Sequence, residues 1–130
     1  TELISLKLGN INGTDKKGIP VDQSFLTAAS VCYDAVYVPD GEDSAKALAN
    51  EPDAVHFLDQ AFKHCKAIAF HADASKLLAA TGFAGHVVKG KSTDKGLILA
   101  QDFGGLRDGF VAAIANHRVW EREKAGKIPA

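Results

Sequence analysis

Two short apolar runs, each stopped by turn-forming residues, set the narrowest bounds on the fold. Ala35-Val36-Tyr37-Val38 lies between Asp34 and Pro39-Asp40-Gly41, and Ala67-Ile68-Ala69-Phe70 stops at His71-Ala72-Asp73. Four consecutive apolar residues with no polar alternate predict strands buried on both faces, as in a parallel sheet. Helical spacing follows each run. After the first, Ser44 is suited to cap a helix that gathers Ala45, Leu48 and Ala49 on one side. Asn50-Glu51-Pro52 interrupts it, and the proline fits the first turn of a second helix with the stripe Ala54, Val55, Leu58, Ala61 and Phe62. After the second run, Ser75 to Ala80 predicts a short helix ended by Gly82. Val87-Val88 and Leu97-Ile98-Leu99-Ala100 predict two further strands separated by a turn at Ser92 to Gly96. Leu106, Phe110, Val111, Ile114, Ala115 and Val119 predict the strongest helix of the chain. Such alternation points to an α/β fold with a mainly parallel sheet, whose ligands sit at the carboxyl ends of the strands.

The first thirty residues read differently. Leu3 to Leu8 nearly alternates and predicts a strand, and the turn-prone pairs Gly9-Asn10, Asn12-Gly13 and Lys17-Gly18 follow it. Gly9 to Gln23 therefore predicts a hairpin excursion with Ile19-Pro20-Val21 as an edge strand, and Ser24 to Ser30 a single helical turn. With 130 residues, 46% hydrophobic and 24% charged, the whole chain 1–130 is expected to form one globular domain. A formal net charge of -1 argues against a general nucleic-acid surface, and no apolar run nears the roughly 18 residues of a membrane helix. The charge is uneven: residues 1–63 hold ten acids against five lysines, whereas 64–130 hold ten bases against six acids. Differently solvated faces account for this, and a docking surface for a partner domain is the sharper reading. The start, Thr1-Glu2-Leu3-Ile4, has neither an initiating methionine nor the pattern of a signal peptide, so an excised piece of a longer protein is expected.

A strand turning sharply into a helix holds the nucleophile of many hydrolases beside backbone N–H groups that stabilise an oxyanion. Ala67 to Leu78 has that outline, yet its turn carries His71, Ala72, Asp73 and Ala74. Alanine supplies no nucleophile, Asp73 places negative charge where a thiolate or phosphate would sit, and Ser75 reads as a capping or first-turn residue. The expectation is no catalytic, cofactor or metal residue, with Ala72, Asp73 and Ala74 a chemically empty elbow. Cys32 and Cys65 read as buried inert thiols, with a disulfide between them left open. His56, Gln60 and His64 recur at four-residue steps, but no cysteine or carboxylate at ligand spacing completes a metal set, Asp59 lying off that face. They read as surface polar residues, His71 as partly buried, and His86 as unremarkable. Gly104-Gly105 lacks the third glycine and the acid of a dinucleotide fingerprint. Arg118 and Arg122, one turn apart, read as a salt-bridging or docking face, and Trp120 as packing on the domain or on the rest of a parent protein.

Tyr33 to Gly41, Lys66-Ala67-Ile68-Ala69 and the helix between them resemble the PfpI and class I glutamine amidotransferase-like superfamily. In its active members the second segment continues into Cys-His-Gly. Matched residue by residue, that cysteine falls on Ala72, the histidine on Asp73 and the glycine on Ala74, so amidotransferase, protease and glyoxalase chemistry is not carried over. A small hydrolase or deglycase is the rival reading, disfavoured because position 72 is alanine. Asn116-His117-Arg118-Val119-Trp120 and the ending Lys127-Ile128-Pro129-Ala130 resemble the last residues of large-subunit catalases, whose flavodoxin-like carboxy-terminal domain carries a degenerate elbow. That resemblance implies a flavodoxin-like three-layer α/β/α domain. It further implies a parent tetramer that decomposes hydrogen peroxide with haem held outside this chain, and no cofactor within it. Partners implied are the parent's catalase core and, by likeness to heat-shock members of the superfamily, unfolding client proteins. Family domains begin with a strand and helix that this chain lacks ahead of Leu3 to Leu8. The neighbours of that strand are therefore expected to pair directly or to take up another copy, giving a rearranged sheet or self-association.

Overall fold

The computed structural model describes residues 1–13 and 15–125. The first part contains β1 (Ile4–Ser5), β2 (Gly9–Asn12), β3 (Gly18–Val21) and β4 (Gln23–Ser24). β2 and β3 form the expected hairpin, antiparallel with Ile11 opposite Ile19. β1 is shorter than the alternation of Leu3 to Leu8 suggests, because its partner is the two-residue β4, with which it runs parallel. Thr27 and Ala28 donate backbone N–H groups to the Ser24 carbonyl, closing the single turn expected there.

The remainder contains β5 (Ala35–Val38), α1 (Glu42–Ala49), α2 (Pro52–Lys63), β6 (Ala67–His71), α3 (Ser75–Ala80), β7 (Val87–Val88), β8 (Lys91–Ser92), β9 (Leu97–Ala100) and α4 (Phe103–Ala115). β5, β6 and β9 make a parallel sheet in that order, with Val36 beside Ile68 and Ile68 beside Leu97. Val87-Val88 does not join it. A left-handed Lys89-Gly90 turn folds β7 back on β8 as a separate antiparallel pair. α1 starts at Glu42 directly after Gly41, whose φ of 124° makes the sharp turn, so Ser44 lies inside the helix and caps nothing. Pro52 takes the first helical position of α2, as its spacing predicts.

Side chains alternate across the sheet. Val38, Ile68, Phe70 and Leu97 join Ala45 of α1, Leu58 and Ala61 of α2, and Leu77 and Leu78 of α3 in one buried core. On the opposite face, Ala67 and Ala69 are small and let α4 approach closely. A Cβ on Gly109 would stand 3.0 Å from the Ile98 side chain, so this glycine sets the distance between α4 and the sheet. The result is the expected three-layer arrangement, with three helices on one face and α4 on the other.

Two expectations fail together at the β5 side. β5 was expected to be buried on both faces, but only Val38 is buried and Tyr37 is exposed. Of the stripe expected to bury α4, Leu106 is buried while Val111 and Ile114 are exposed, and Val119 lies beyond the helix. α4 ends at Ala115 because His117 takes a left-handed φ of 63°. β1 and β5 do not pair directly: among the described residues, β5 has β6 as its one neighbour and β1 has β4. The direct pairing expected there is absent, and β5, β6 and β9 form one three-stranded parallel block while β1 and β4 form a separate two-stranded pair.

Candidate functional site

The carboxyl ends of β5 and β6 lie side by side, as a ligand site in an α/β fold requires. β6 runs through His71 into a 3₁₀ turn, Ala72–Ala74, and then α3. The elbow outline is therefore present. The His71 Nδ1 accepts from the Asp73 backbone N–H at 3.4 Å and lies 3.6 Å from the Asp73 carboxylate. Ala74 is wholly buried in the core, Asp73 is exposed, and Ser75 is the first residue of α3 with no capping bond. Beside them, Lys76 of α3 donates to Glu42 of α1 at 2.7 Å. That contact holds the Glu42 carboxyl below its ordinary value, and both groups stand in solvent. The elbow presents a carboxylate, an imidazole and a solvated ion pair around the Ala72 methyl.

The amino-terminal end of the same sheet is chemically denser. Arg122, in the turn after Val119, donates to Asp94 through Nε at 2.8 Å and Nη2 at 2.7 Å, and both side chains are 6% exposed. Its Nη1 donates to the Lys66 carbonyl at 2.8 Å and the Phe62 carbonyl at 3.2 Å, with the guanidinium 3.9 Å above the Phe62 ring. Burial alone would push the Asp94 carboxyl up. The Arg122 hydrogen bonds and charge, with the Gly96 N–H, outweigh that and hold it below the ordinary carboxylate value. A side chain at Gly96 would collide with Val119 and Arg122, which is why that position is glycine. Lys66 is 2% exposed and donates Nζ to the Ser30 and Tyr33 carbonyls. Burial, then the nearby Arg118, push its ammonium below the ordinary lysine value. The Cys65 backbone is left-handed at φ 60°, and its carbonyl accepts from Val119 N–H at 2.7 Å.

The other singled-out residues distribute as follows. Cys65 is buried and its thiol pushed up by desolvation, whereas Cys32 is exposed, against expectation, because its 3₁₀ turn, Ser30–Cys32, lies at the surface. Both thiols are free. Counting along β6, Cys65 lies roughly 20 Å from the elbow. His56, Gln60 and His64 do line one open depression of about 360 Å³, with Phe25 and Val31 opposite. His64 caps the carboxyl end of α2, and the described residues contain no group of three or more metal-ligating side chains. His86 lies 5.1 Å from the Phe62 ring, and Asp59 accepts from Gly82 N–H at 2.8 Å. Gly105 N–H donates to Asp102, making Gly104-Gly105 part of an ordinary helix start. Arg118 pairs with Asp34 at 3.2 Å. Arg122 is buried, so the two arginines do not share a docking face. Trp120 is half-exposed and lines a second depression of about 250 Å³ with Lys66, Arg118 and Glu123. The ending Lys127 to Ala130 lies outside the described residues. The Arg122–Asp94 pair escaped the sequence reading; its partners are 28 residues apart, and the one signal for it was a glycine at position 96, two residues after Asp94.

Comparison with known proteins follows the same division between fold and chemistry. The family described as the C-terminal domain found in long catalases matches residues 6–124. Catalase HPII of Pseudomonas putida is 41% identical over 121 residues, which are 92% of this chain and 15% of that protein. Catalase-B of Dictyostelium discoideum is 32% identical over 130 residues, 98% of this chain and 18% of that protein. The chain thus spans less than a fifth of the length of these relatives. Among solved structures, a two-domain protein from Anabaena variabilis containing DJ-1/ThiJ/PfpI-like and ferritin-like domains has a TM-score of 0.69 at 16% identity, covering 88% of this chain and 39% of that one. A mutant of a DJ-1 superfamily protein from Salmonella typhimurium has a TM-score of 0.64 at 19% identity, covering 98% of this chain and 82% of that one.

Proposed function

Because the chain belongs to the family of C-terminal domains found in long catalases, we propose that it is the non-catalytic accessory domain of a haem catalase. Its parent decomposes hydrogen peroxide, and the domain stabilises that enzyme by docking on the catalase core. The observation that supports this reading is the elbow: the strand-to-helix turn is formed, and the residue that the resemblance sets at the nucleophile position is alanine, Ala72. A hydrolase or deglycase needs a thiol or hydroxyl there, and the two cysteines lie at other places in the fold. Haem requires an enclosed apolar slot with an axial ligand aimed into it. The two depressions are open and walled in part by Asp53, His56 and Gln60, and by Lys63, Arg118 and Glu123. These residues do not fit the group, and no step of peroxide chemistry is assigned to this chain. No helix of the described residues is long and apolar enough to cross a membrane.

The test compares the full-length parent with a version ending ahead of this domain. Peroxide turnover per bound haem is expected to be unchanged, while the half-life at elevated temperature shortens. Loss of turnover per haem at full haem occupancy would overturn the accessory reading. A holding activity toward unfolding clients extends the proposal, supported by the strongly exposed Leu26 and Val31. Heating an aggregation-prone client with and without the chain checks it; unchanged light scattering removes it.

A further inference from the structure

The outer face of α2 forms one wall of a groove. His56 and His64 are exposed on it and Gln60 half-buried, and the three line an open depression of about 360 Å³ with Asp53 at one end. The facing wall is the segment after β4, and it is apolar: Ala28, Ala29 and Val31 line it, Val31 being 69% exposed. The floor is fixed, because Phe57 of α2 is buried and meets the Phe25 ring edge-on at 5.6 Å. Val31 and His64 also line the second depression, of about 250 Å³, so the two adjoin there.

Charge is graded along this path. Asp53 stands at one end, whereas Lys63, Lys66 and Arg118 line the far depression against one carboxylate, Glu123. Asp34 offsets Arg118 at 3.2 Å, but the Lys66 ammonium is held by two carbonyls, which leave its charge unbalanced. Trp120, 55% exposed, adds a flat wall at the cationic end. Tryptophan and arginine are the side chains that most often carry the energy of a recognition surface.

The spacing of the polar wall selects the shape that fits it. Four residues of helix advance about 6 Å, and two residues of extended chain advance about 6.6 Å. Imidazole and carboxamide groups both donate and accept, so side chains at four-residue steps match the backbone groups of every second residue of an extended segment. From Asp53 to His64 the helix advances about 16 Å, the reach of about five extended residues. Side chains of such a segment that enter the groove fall on Phe25, Ala28 and Val31.

We propose that this groove binds an extended peptide segment of a partner protein. The segment is basic where it passes Asp53, apolar at the positions that enter the groove, and acidic where it reaches Lys63, Arg118 and Trp120. The proposal draws on these side chains alone and stands apart from the accessory reading. A second copy of this chain is the poorer occupant. Its exposed strand β3 is flanked by Lys17 and Asp22, but Asp22 already accepts the Leu3 N–H at 2.7 Å, and β2 takes up one edge of the strand.

Fluorescence anisotropy of the full-length parent tests this with two synthetic peptides carrying a neutral dye at the amino terminus. One is Lys-Val-Ser-Val-Ser-Asp-amide, and the other has lysine in place of the final aspartate. The acidic-ended peptide is expected to bind on the order of 10-fold tighter, and Lys63→Glu to abolish or reverse that preference. Val31→Glu is expected to weaken the acidic-ended peptide by about 10-fold. Val88→Glu, a comparably exposed site on the β7–β8 hairpin, is expected to leave it unchanged. Equal affinity for the two peptides, or equal effects of Val31→Glu and Val88→Glu, would overturn the proposal. So would the absence of binding at about 1 mM peptide, whether the groove is empty or covered by the rest of the parent. Affinity that falls as the protein concentration rises would overturn it in favour of a second copy. Should a variant not fold, the two peptides on the unaltered protein decide. Failure of the accessory reading is separate: it would appear as a parent without bound haem.

Discussion

The two ends of the β5–β6–β9 sheet invert what an α/β enzyme leads one to expect. At the carboxyl end, where the fold offers a site, charged groups are solvated: Lys76 and Glu42 pair in water, and Asp73 lies open beside His71. At the amino end, where the fold offers none, Arg122, Asp94 and Lys66 are buried and hydrogen-bonded. Desolvated charge is expensive unless satisfied, so it persists where it fixes something. Here it fixes the segment after α4 across the starts of β6 and β9. The chain places its buried, hydrogen-bonded charges at the sheet end opposite the one where α/β folds seat their ligands.

The comparison breaks first at Arg122. Arg122→Ala leaves Asp94 buried without its partner, and is expected to cost about 3–5 kcal/mol in urea unfolding. A loss below 1 kcal/mol would mean that the amino end is no more demanding than the carboxyl end. Gly96→Ala forces a methyl into Val119 and Arg122 and is expected to cost about 1–3 kcal/mol by overpacking, checked by the same unfolding curves. The acid limb sharpens the contrast. Asp94 has a lowered folded pKa, so its contribution is complete above the unfolded value of about 3.9 and fades as pH falls through the folded one. Melting temperature between pH 5 and pH 2 should therefore fall less steeply in Asp94→Asn, from a lower starting point, than in the parent sequence. The smallest effect belongs to the elbow: Asp73→Asn is expected to change stability by less than about 0.5 kcal/mol, because its carboxylate stays in solvent.

What the sequence made legible follows from where the signals are local. β6, its elbow and α2 were readable because apolar run, turn and proline lie within a few residues of each other, and the absence of a nucleophile at Ala72 is a matter of identity. β5 and α4 were read correctly as strand and helix but wrongly as buried, since apolar composition gives a face its preference and not its cover. Val119 fits the period of α4 by coincidence: the helix stops at Ala115, and Val119 instead bonds back to Cys65. Cys32 was misjudged for a related reason, its apolar neighbours Val31 and Ala29 being exposed on a surface turn. The buried pair was illegible because Asp94 and Arg122 meet only after the sheet and α4 have formed.

Paired double-mutant cycles at the two ends test the central claim most directly. Asp94 and Arg122 are expected to be coupled by roughly 2–3 kcal/mol in unfolding free energy, and Glu42 and Lys76, a pair in solvent, several-fold more weakly. Comparable coupling at both ends, or a larger one at the elbow, would contradict it.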